Sequence, residues 1–292
     1  MIIDLLLFKI SFPISKVKTF FFLPPLVGFF IALFCSAGGV TGAFLLLPFQ
    51  ISILNFISPS VNATNYFYNI ISAPFGIYRY WKEQRFYYPL AFILVIGCLP
   101  GIILGYFLRI TWFREIKTFK LFVGLVLIAI CFKLIYDFFA IKKEIGFSSE
   151  KPYTYIFNWK KLKFSYGEKI YEINSWFISF LSFFTGVIGG IYGIGGGALM
   201  SPILLAFFKI PPYIYAGANL FSVYSSSVIG ISVYTFGGYK PDWLLGFLFG
   251  LGGGVGLNLG ARLQKYMPQK LIRFIIIIAL LIISYRYIIS YF

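Results

Sequence analysis

Long apolar runs follow one another along most of the chain, with short polar stretches between them. The first five cover about residues 20–36, 41–57, 63–80, 88–108 and 119–140, and the next five cover about residues 174–191, 196–209, 213–236, 242–261 and 271–291. A helix that crosses a bilayer needs about 20 mostly apolar residues, and several runs reach that length. The pattern predicts an all-α polytopic membrane protein.

The second five runs repeat the first five at an offset of about 154 positions. The matching pairs include Gly39 with Gly193, Gly42 with Gly196, Asn65 with Asn219 and Ser72 with Ser226. The number of segments in each half is odd, and it stays odd if the first two form a re-entrant hairpin instead of crossing the membrane. The two homologous halves then enter from opposite sides, which predicts the inverted repeat typical of secondary transporters.

This repeat divides the chain into three parts, a first membrane repeat at residues 1–140, a linker at 141–172 and a second membrane repeat at 173–292. The linker is the longest polar stretch and is rich in lysine. The loops on the linker side of the membrane contain about twice as many basic residues as the loops on the other side. Arg109 is counted among the loop charges of that other side. Because positive loops stay in the cytoplasm, a cytoplasmic linker and a location in the inner or plasma membrane are predicted.

The charge composition of the chain indicates which kinds of partner it binds. The chain is 60% hydrophobic and only 12% charged, but its formal net charge is +16. The basic residues lie in loops between apolar runs, so the lipid bilayer is predicted as their partner and nucleic acid is not. There is no histidine, and the three cysteines stand singly in apolar runs, so no metal or other cofactor is expected. The pattern leaves the oligomeric state open.

Glycine interrupts the apolar pattern at one place in each half. The second half reads GGIYGIGGGALMSPILL at residues 189–205, and the first half reads SAGGVTGAFLLLPF at residues 36–49. A helix that breaks inside a membrane leaves unpaired N–H groups, which are tolerated only inside protein or beside a polar cavity. A helix that restarts near Gly197 would direct its first amides and its positive dipole end toward the break, where they suit an anion.

These two glycine breaks therefore supply the first candidates for substrate binding. The candidate residues are Gly39, Thr41, Gly42, Gly193, Gly195, Gly196 and Gly197. Close helix packing is the alternative explanation of glycine in membrane helices. Packing is the preferred interpretation for the pairs Gly101 with Gly105 and Gly256 with Gly260, which follow the GxxxG pattern.

Polar residues within the next segment of each half complete the candidate site. Asn65 and Asn219 are costly in lipid and are predicted to face the protein interior, where they either bind ligand or hold helices together. Ser72 and Ser226 follow about two helical turns later, and a hydroxyl bonded to its own helix is the alternative for both. Thr64 is a further candidate.

The missing residue types also restrict the mechanism. With no histidine and no carboxylate at the centre of a run, the side chains that usually carry protons or sodium are absent. A cation would lack a counter-charge, so a small anion, with or without its own proton, is the predicted substrate. A membrane-embedded enzyme would need acid, base or metal groups at depth, so no enzymatic activity is predicted. A passive anion channel remains an alternative.

The segment GIGGGALMSPIL, residues 193–204, resembles the glycine-rich signature of the sulfite exporter TauE/SafE family, also called the 4-toluene sulfonate uptake permease family. The resemblance covers essentially the whole chain outside the linker. A second family motif, often Gly-Thr-Ser-Leu, corresponds to Gly217-Ala218-Asn219-Leu220 and to Ala63-Thr64-Asn65-Tyr66, so asparagine partly replaces its small hydroxyl residues. The resemblance implies transport of sulfite, thiosulfate, organosulfonates or related anions across the cell membrane, in a direction that the motif does not fix.

Overall fold

A computed structural model describes residues 9–36, 39–140, 152–263, 269–289 and 291 of the chain. The helices are α1 (Leu23–Cys35), α2 (Ala43–Ser52), α3 (Ser60–Lys82), α4 (Tyr88–Thr111), α5 (Ile116–Ala140), α6 (Ser175–Tyr192), α7 (Gly197–Ala206), α8 (Pro212–Phe236), α9 (Trp243–Leu263) and α10 (Gln269–Ile289). The strands are β1 (Lys9–Ser11), β2 (Lys18–Phe20), β3 (Tyr153–Phe157), β4 (Leu162–Tyr166) and β5 (Lys169–Ile173).

The helices follow the apolar runs of the sequence, five in each half. By length and composition, α4, α6, α8 and α9 are apolar enough to cross a membrane. This finding confirms the predicted membrane protein, and the predicted all-α fold holds for most of the described residues but not for its two small sheets. The second helix of each half, α2 or α7, has only 10 residues, which is about 15 Å of helix and half the thickness of a bilayer core.

Two parallel helix pairs join the halves. In the pair α1 and α9, a Cβ atom on Gly252, Gly256 or Gly260 would meet the carbonyl oxygen of Pro25, Phe29 or Leu33, respectively. The pair α4 and α6 shows the same contact. There a Cβ atom on Gly97, Gly101 or Gly105 would meet the carbonyl oxygen of Ser179, Phe183 or Val187, respectively. The backbones therefore approach as closely as glycine allows, which confirms the packing role predicted for Gly101, Gly105, Gly256 and Gly260.

The third helices of the two halves, α3 and α8, cross the centre of the molecule in antiparallel directions. A Cβ on Gly230 would lie 2.7 Å from the Tyr66 ring near the start of α3, and a Cβ on Gly76 would lie 2.7 Å from the Leu220 side chain near the start of α8. These two contacts are equivalent under the repeat. The fifth helices, α5 and α10, also run antiparallel, since Gly124 lies beside Ser284 and Cys131 beside the Ile277 carbonyl.

The linker contains a small β-sheet, so the chain is not purely helical. Residues 141–151 lie outside the described residues, and β3, β4 and β5 form an antiparallel sheet in that order. The sequence LKFSY of β4 alternates apolar and polar residues, and its Leu162 and Phe164 are fully buried. The Phe164 ring lies 4.9 Å from the ring of Tyr87 at the start of α4. The sheet therefore covers the end of the molecule where α4 begins.

At the opposite end, a hairpin of β1 and β2 is held to the loop before α9. The carboxylate of Asp242 accepts hydrogen bonds from the backbone and hydroxyl groups of Ser15, at 2.9 and 2.8 Å. One interpretation of the sequence is wrong at this end: Arg109, which was counted as a loop charge, is fully buried within α4. It does not contribute to the exposed charge that orients the chain.

Candidate functional site

The helix break of the second half lies between α6 and α7. Gly193 and Gly195 have φ angles of +80° and +78°, a left-handed conformation that favours glycine. Gly196 is the N-cap residue and α7 begins at Gly197, as the sequence predicts. The break is therefore built from consecutive glycines because two of its residues need backbone angles that other residues rarely adopt.

The break of the first half also contains two left-handed residues, but the second of them lies one position later than in the second half. Gly39 has a φ of +68°, like its repeat partner Gly193, but the second left-handed residue is Gly42, with a φ of +83°, instead of position 41. Position 41 holds threonine, and a β-branched residue disfavours the left-handed region. The glycine that follows takes this conformation, so the break is preserved despite the loss of a glycine.

Protein atoms lie close to most of the break glycines. A Cβ on Gly193 would lie 2.9 Å from Asn62, one on Gly197 would lie 2.6 Å from the Asn219 carbonyl, and one on Gly196 would meet the Cys98 sulfur. Tight packing therefore accounts for these glycines in part. Their role in ligand binding stays a prediction that rests on the polar groups around them.

A polar seam of side chains follows the two breaks on the facing sides of α3 and α8. Its members are Asn62, Asn65, Asn69 and Ser72 of α3 and Asn219, Ser222, Ser226 and Ser227 of α8, all fully buried. The α3 members are spaced by three or four residues, which places them on one face of the helix. The burial of Asn65 and Asn219 confirms that both face the protein interior.

The asparagines of the seam bind the break of the opposite half. The Nδ2 group of Asn65 donates to the carbonyl of Gly193 at 2.8 Å and to that of Ala43 at 3.2 Å. The Nδ2 group of Asn219 donates to the carbonyl of Gly39 at 3.2 Å and to the Ser201 hydroxyl at 2.6 Å. The repeat is therefore preserved in the hydrogen bonds as well as in the sequence.

Further bonds from α3 hold both breaks at once. Asn62 donates to the carbonyl of Ile191 at 2.8 Å and Asn69 to that of Ile194 at 3.2 Å. The Oδ1 atom of Asn69 accepts a bond of 2.7 Å from the hydroxyl of Thr41, and the Tyr68 hydroxyl donates to the Thr41 carbonyl at 2.5 Å. The polar face of α3 thus contacts the break of its own half and that of the other half.

Several polar atoms of the seam have no partner. Within the described residues, they are the Oδ1 atoms of Asn62, Asn65 and Asn219. The hydroxyl groups of Ser72 and Ser222 lie within hydrogen-bonding range of the Tyr68 hydroxyl and the Cys98 thiol, respectively. Buried polar groups are nearly always paired with protein or water, so a cluster of exceptions calls for water or a ligand beside them. The amide oxygens accept hydrogen bonds, whereas the hydroxyl groups either accept or donate.

Backbone donors face the same region from the start of α7. The N–H groups of Gly197 and Ala198 are in the first helical turn and have no acceptor within their own helix. Neither they nor the N–H of Gly195 bond to a backbone carbonyl elsewhere in the part of the chain that is described. Ser226 lies beside them, since its hydroxyl would be 3.0 Å from a Cβ on Gly195. The N–H groups are able to donate hydrogen bonds to an anion. The Ser226 hydroxyl already donates to the Val223 carbonyl at 3.0 Å, so the alternative of a bond within its own helix holds for this serine.

The structure brings together nearly all of the residues singled out in the sequence. Thr64 lies apart, since its hydroxyl donates to the Ser60 carbonyl at 2.9 Å and accepts a bond of 2.8 Å from the Asp242 amide. The sequence reasoning missed Asn62, Asn69, Ser222, Ser227 and Cys98. The polar residues at three- and four-residue spacing along α3 were the signal that identifies Asn62 and Asn69.

A mainly helical chain, with several helices apolar enough to cross a bilayer and polar groups buried between homologous halves, is an integral membrane protein. The model of the family described as "Sulfite exporter TauE/SafE" matches residues 25–287. The chain therefore belongs to the sulfite exporter TauE/SafE family of membrane transporters.

Individual relatives agree with this assignment. The probable membrane transporter protein YunE of Bacillus subtilis is 27% identical over 214 residues, which are 70% of this chain and 71% of YunE. The sulfite exporter TauE/SafE family protein 5 of Arabidopsis thaliana is 46% identical over 54 residues, only 18% of this chain and 12% of that protein. A probable membrane transporter protein of Haemophilus influenzae is 28% identical over 97 residues, which are 33% of this chain and 36% of that protein. No solved structure matches the chain.

Proposed function

We propose that the protein transports small sulfur-containing anions, such as sulfite, thiosulfate or organosulfonates, and binds them between its two glycine breaks. The observation that carries this proposal is the group of unpaired polar atoms in the buried seam, beside backbone N–H groups at the start of α7. The name of the Arabidopsis relative and that of the family support sulfite as the first substrate to test.

The donor and acceptor groups of the seam suit a particular form of anion. Backbone N–H groups and serine hydroxyls stabilise negative charge without a charged side chain. The amide oxygens of Asn62, Asn65 and Asn219 need hydrogen-bond donors instead. An anion that carries a proton, as sulfite does when it becomes bisulfite, or one that retains a few water molecules satisfies both kinds of group.

We also propose that the halves form an inverted repeat in the membrane. The antiparallel directions of the equivalent helices α3 and α8 support it, because a two-fold axis across the helices relates antiparallel copies. The shortness of α2 and α7 supports a re-entrant hairpin in each half, with each break near the bilayer midplane. The linker sheet would then face the cytoplasm and the protein would lie in the plasma membrane.

Uptake of radiolabelled sulfite by liposomes that contain the purified protein tests this function. The expected result is sulfite uptake that saturates, and that internal unlabelled sulfite accelerates by exchange, as in a transporter with alternating access. Uptake without saturation or exchange would indicate a passive anion channel. No uptake of sulfite, thiosulfate or an organosulfonate would contradict the proposal.

Two serines of α8 provide matched variants for this experiment. The hydroxyl of Ser222 is buried in the seam beside the Cys98 thiol, whereas the hydroxyl of Ser232 bonds to the Val228 carbonyl at 2.8 Å on the exposed side of the same helix. Ser222→Ala should weaken sulfite uptake, and Ser232→Ala should leave it unchanged. Equal rates in both variants would place the substrate away from the seam.

A further inference from the structure

Arg109 is a fully buried arginine near the end of α4 that lies farthest from the linker sheet. Its Nη1 group donates to the carbonyl of Phe113, and its guanidinium carbon lies 3.8 Å from the centre of the Phe119 ring. The carbonyl bond and the stacking on the ring fix the position of the side chain. They use only part of its hydrogen-bonding capacity.

The other edge of the guanidinium is unpaired. Within the described residues, Nε and Nη2 have no hydrogen-bond partner, and no ion pair joins Arg109 to a carboxylate. The Asp242 carboxylate at this end of the molecule already accepts bonds from Ser15 and Leu245. The N–H groups on Nε and Nη2 point in the same direction and form the fork that binds two oxygens of one anion.

Arg109 lies on the face of α4 that contacts the break of the second half. Cys98, Ile102, Gly105 and Arg109 follow one another at spacings of three or four residues, so they share this face. Cys98 is in contact with Gly196, and both Ile102 and Gly105 are in contact with Gly190. The helix between Cys98 and Arg109 is about 16 Å long, so the guanidinium lies about three turns of α4 away from the contact with Gly196.

Tyrosines occupy the space between Arg109 and the break. Tyr234 and Tyr239 are within electrostatic range of the guanidinium. The Tyr234 hydroxyl donates to the Gly190 carbonyl at 2.9 Å, and its ring lies 4.8 Å from that of Tyr106. The arginine and the break are thus connected by aromatic side chains that carry hydroxyl groups.

We propose that Arg109 binds an oxyanion at a second site, between the end of the molecule opposite the linker sheet and the glycine breaks. A buried guanidinium that has no counter-charge among the described residues is costly, and an anion with two oxygens on one atom would satisfy its free fork. Sulfite, sulfate, a sulfonate and a carboxylate share this chemistry. The binding of an oxyanion by Arg109 is independent of the proposed function. The role of this site in transport, as a place where the substrate binds on its way through the protein, rests on the proposed function.

Thermal unfolding of the purified full chain, titrated with sodium sulfate, tests the binding. Sodium chloride keeps the ionic strength constant. Sulfate should raise the unfolding temperature of the wild-type protein, and its half-maximal concentration should increase at least about tenfold in Arg109→Gln and Arg109→Lys. Arg109→Lys keeps the charge but loses the fork. Arg114→Gln is the matched control, because Arg114 is an exposed arginine in the loop that follows α4.

Three outcomes of this titration would overturn the proposal. The first is a wild-type protein that does not respond to sulfate beyond the effect of chloride. The second is an Arg109 variant that unfolds at a lower temperature but keeps the wild-type half-maximal concentration, which would show that the arginine only stabilises the fold. The third is an equal loss of response in Arg114→Gln, which would indicate a general effect of surface charge.

Flux measured from each side of the membrane tests the role in transport. In liposomes with one orientation of the protein, Arg109→Lys should raise the half-saturating sulfite concentration about tenfold for sulfite added at the Arg109 end, and much less for sulfite added at the linker end. Equal changes at both ends would contradict a site on one side of the breaks. A wild-type protein without flux would contradict the proposed function instead, and the sulfate titration alone would then decide on Arg109.

Discussion

Asn65 donates a hydrogen bond of 2.8 Å to the carbonyl of Gly193, although the two residues belong to different halves of the chain. Its repeat partner, Asn219, makes the reciprocal bond to Gly39 at 3.2 Å. Each glycine break is therefore held by the central helix of the other half. Any rearrangement of one break changes the hydrogen bonds of both halves.

The two asparagines are expected to stabilise the fold as well as the site. Asn65→Leu leaves the buried carbonyl of Gly193 without its side-chain donor, at a cost of about 1–3 kcal/mol, and removes a further bond to the Ala43 carbonyl. We expect a lower unfolding temperature in detergent, measured by loss of the monodisperse peak in gel filtration after heating. Asn219→Leu should show the same effect through Gly39.

Asn258 on α9 is a suitable control for both substitutions. Its side chain is on the exposed side of the helix, where it makes a long bond of 3.4 Å to the Phe75 carbonyl. Asn258→Leu should change the unfolding temperature little. If Asn65→Leu is as stable as Asn258→Leu, the bonds across the breaks contribute nothing measurable.

The glycines of the parallel helix pairs should be sensitive to any side chain. Gly101→Ala places a Cβ against the Phe183 carbonyl, and Gly256→Ala places one against the Phe29 carbonyl. Because backbone cannot move aside as a flexible side chain does, both variants should lose stability by about 1–3 kcal/mol. Gly124→Ala is the milder comparison, since its Cβ would meet the Ile288 side chain at 3.1 Å. Equal unfolding temperatures for the three variants would contradict this explanation.

A pair of substitutions separates packing from substrate binding at Gly196. Gly196→Ala brings a methyl group against the Cys98 sulfur, so the variant should be less stable. Adding Cys98→Ala removes that sulfur and should restore much of the stability. If the amides at the start of α7 hold the anion, the double variant should still take up sulfite slowly, because the added methyl group narrows the approach to them. Full recovery of uptake would show that Gly196 serves packing alone.

Labelling with a membrane-impermeant maleimide tests the orientation of the chain in the membrane. The three native cysteines are buried, so background labelling should be low. Lys240→Cys lies on the exposed loop after α8 and should react in intact cells, whereas Lys160→Cys, in the exposed turn between β3 and β4, should react only after the cells are permeabilised. The reverse pattern would place the linker outside the cell.

The sequence was informative wherever local chemistry decides the structure. The restart of a helix at Gly197 and the close packing at Gly101 and Gly256 follow from the conformational freedom and the small size of glycine. The interior position of Asn65 follows from the cost of a polar side chain in lipid. Each of these conclusions needs only the residue and its immediate surroundings.

The repeat favoured candidate residues that have an equivalent in the other half. Asn62 and Asn69 were missed since their repeat positions hold Ala216 and Val223. Their position on one face of α3 was visible in the sequence, but their bonds depend on how α3 packs against the break between α6 and α7. The burial of Arg109 was equally hidden. It depends on Phe119 from the next helix, which is far outside the reach of a local pattern.

The parallel helix pairs have a consequence for how such a chain is made. The first helix of each half packs against the glycine-rich face of the fourth helix of the other half, α1 against α9 and α6 against α4. Neither half alone therefore contains the packing partner of its own first helix. A gene cut within the linker would yield two fragments that each leave one groove and one helix unmatched. The fragments would have to be synthesised together, because each provides the surface on which the other packs. An ancestor with a single repeat would have worked only as a pair of copies.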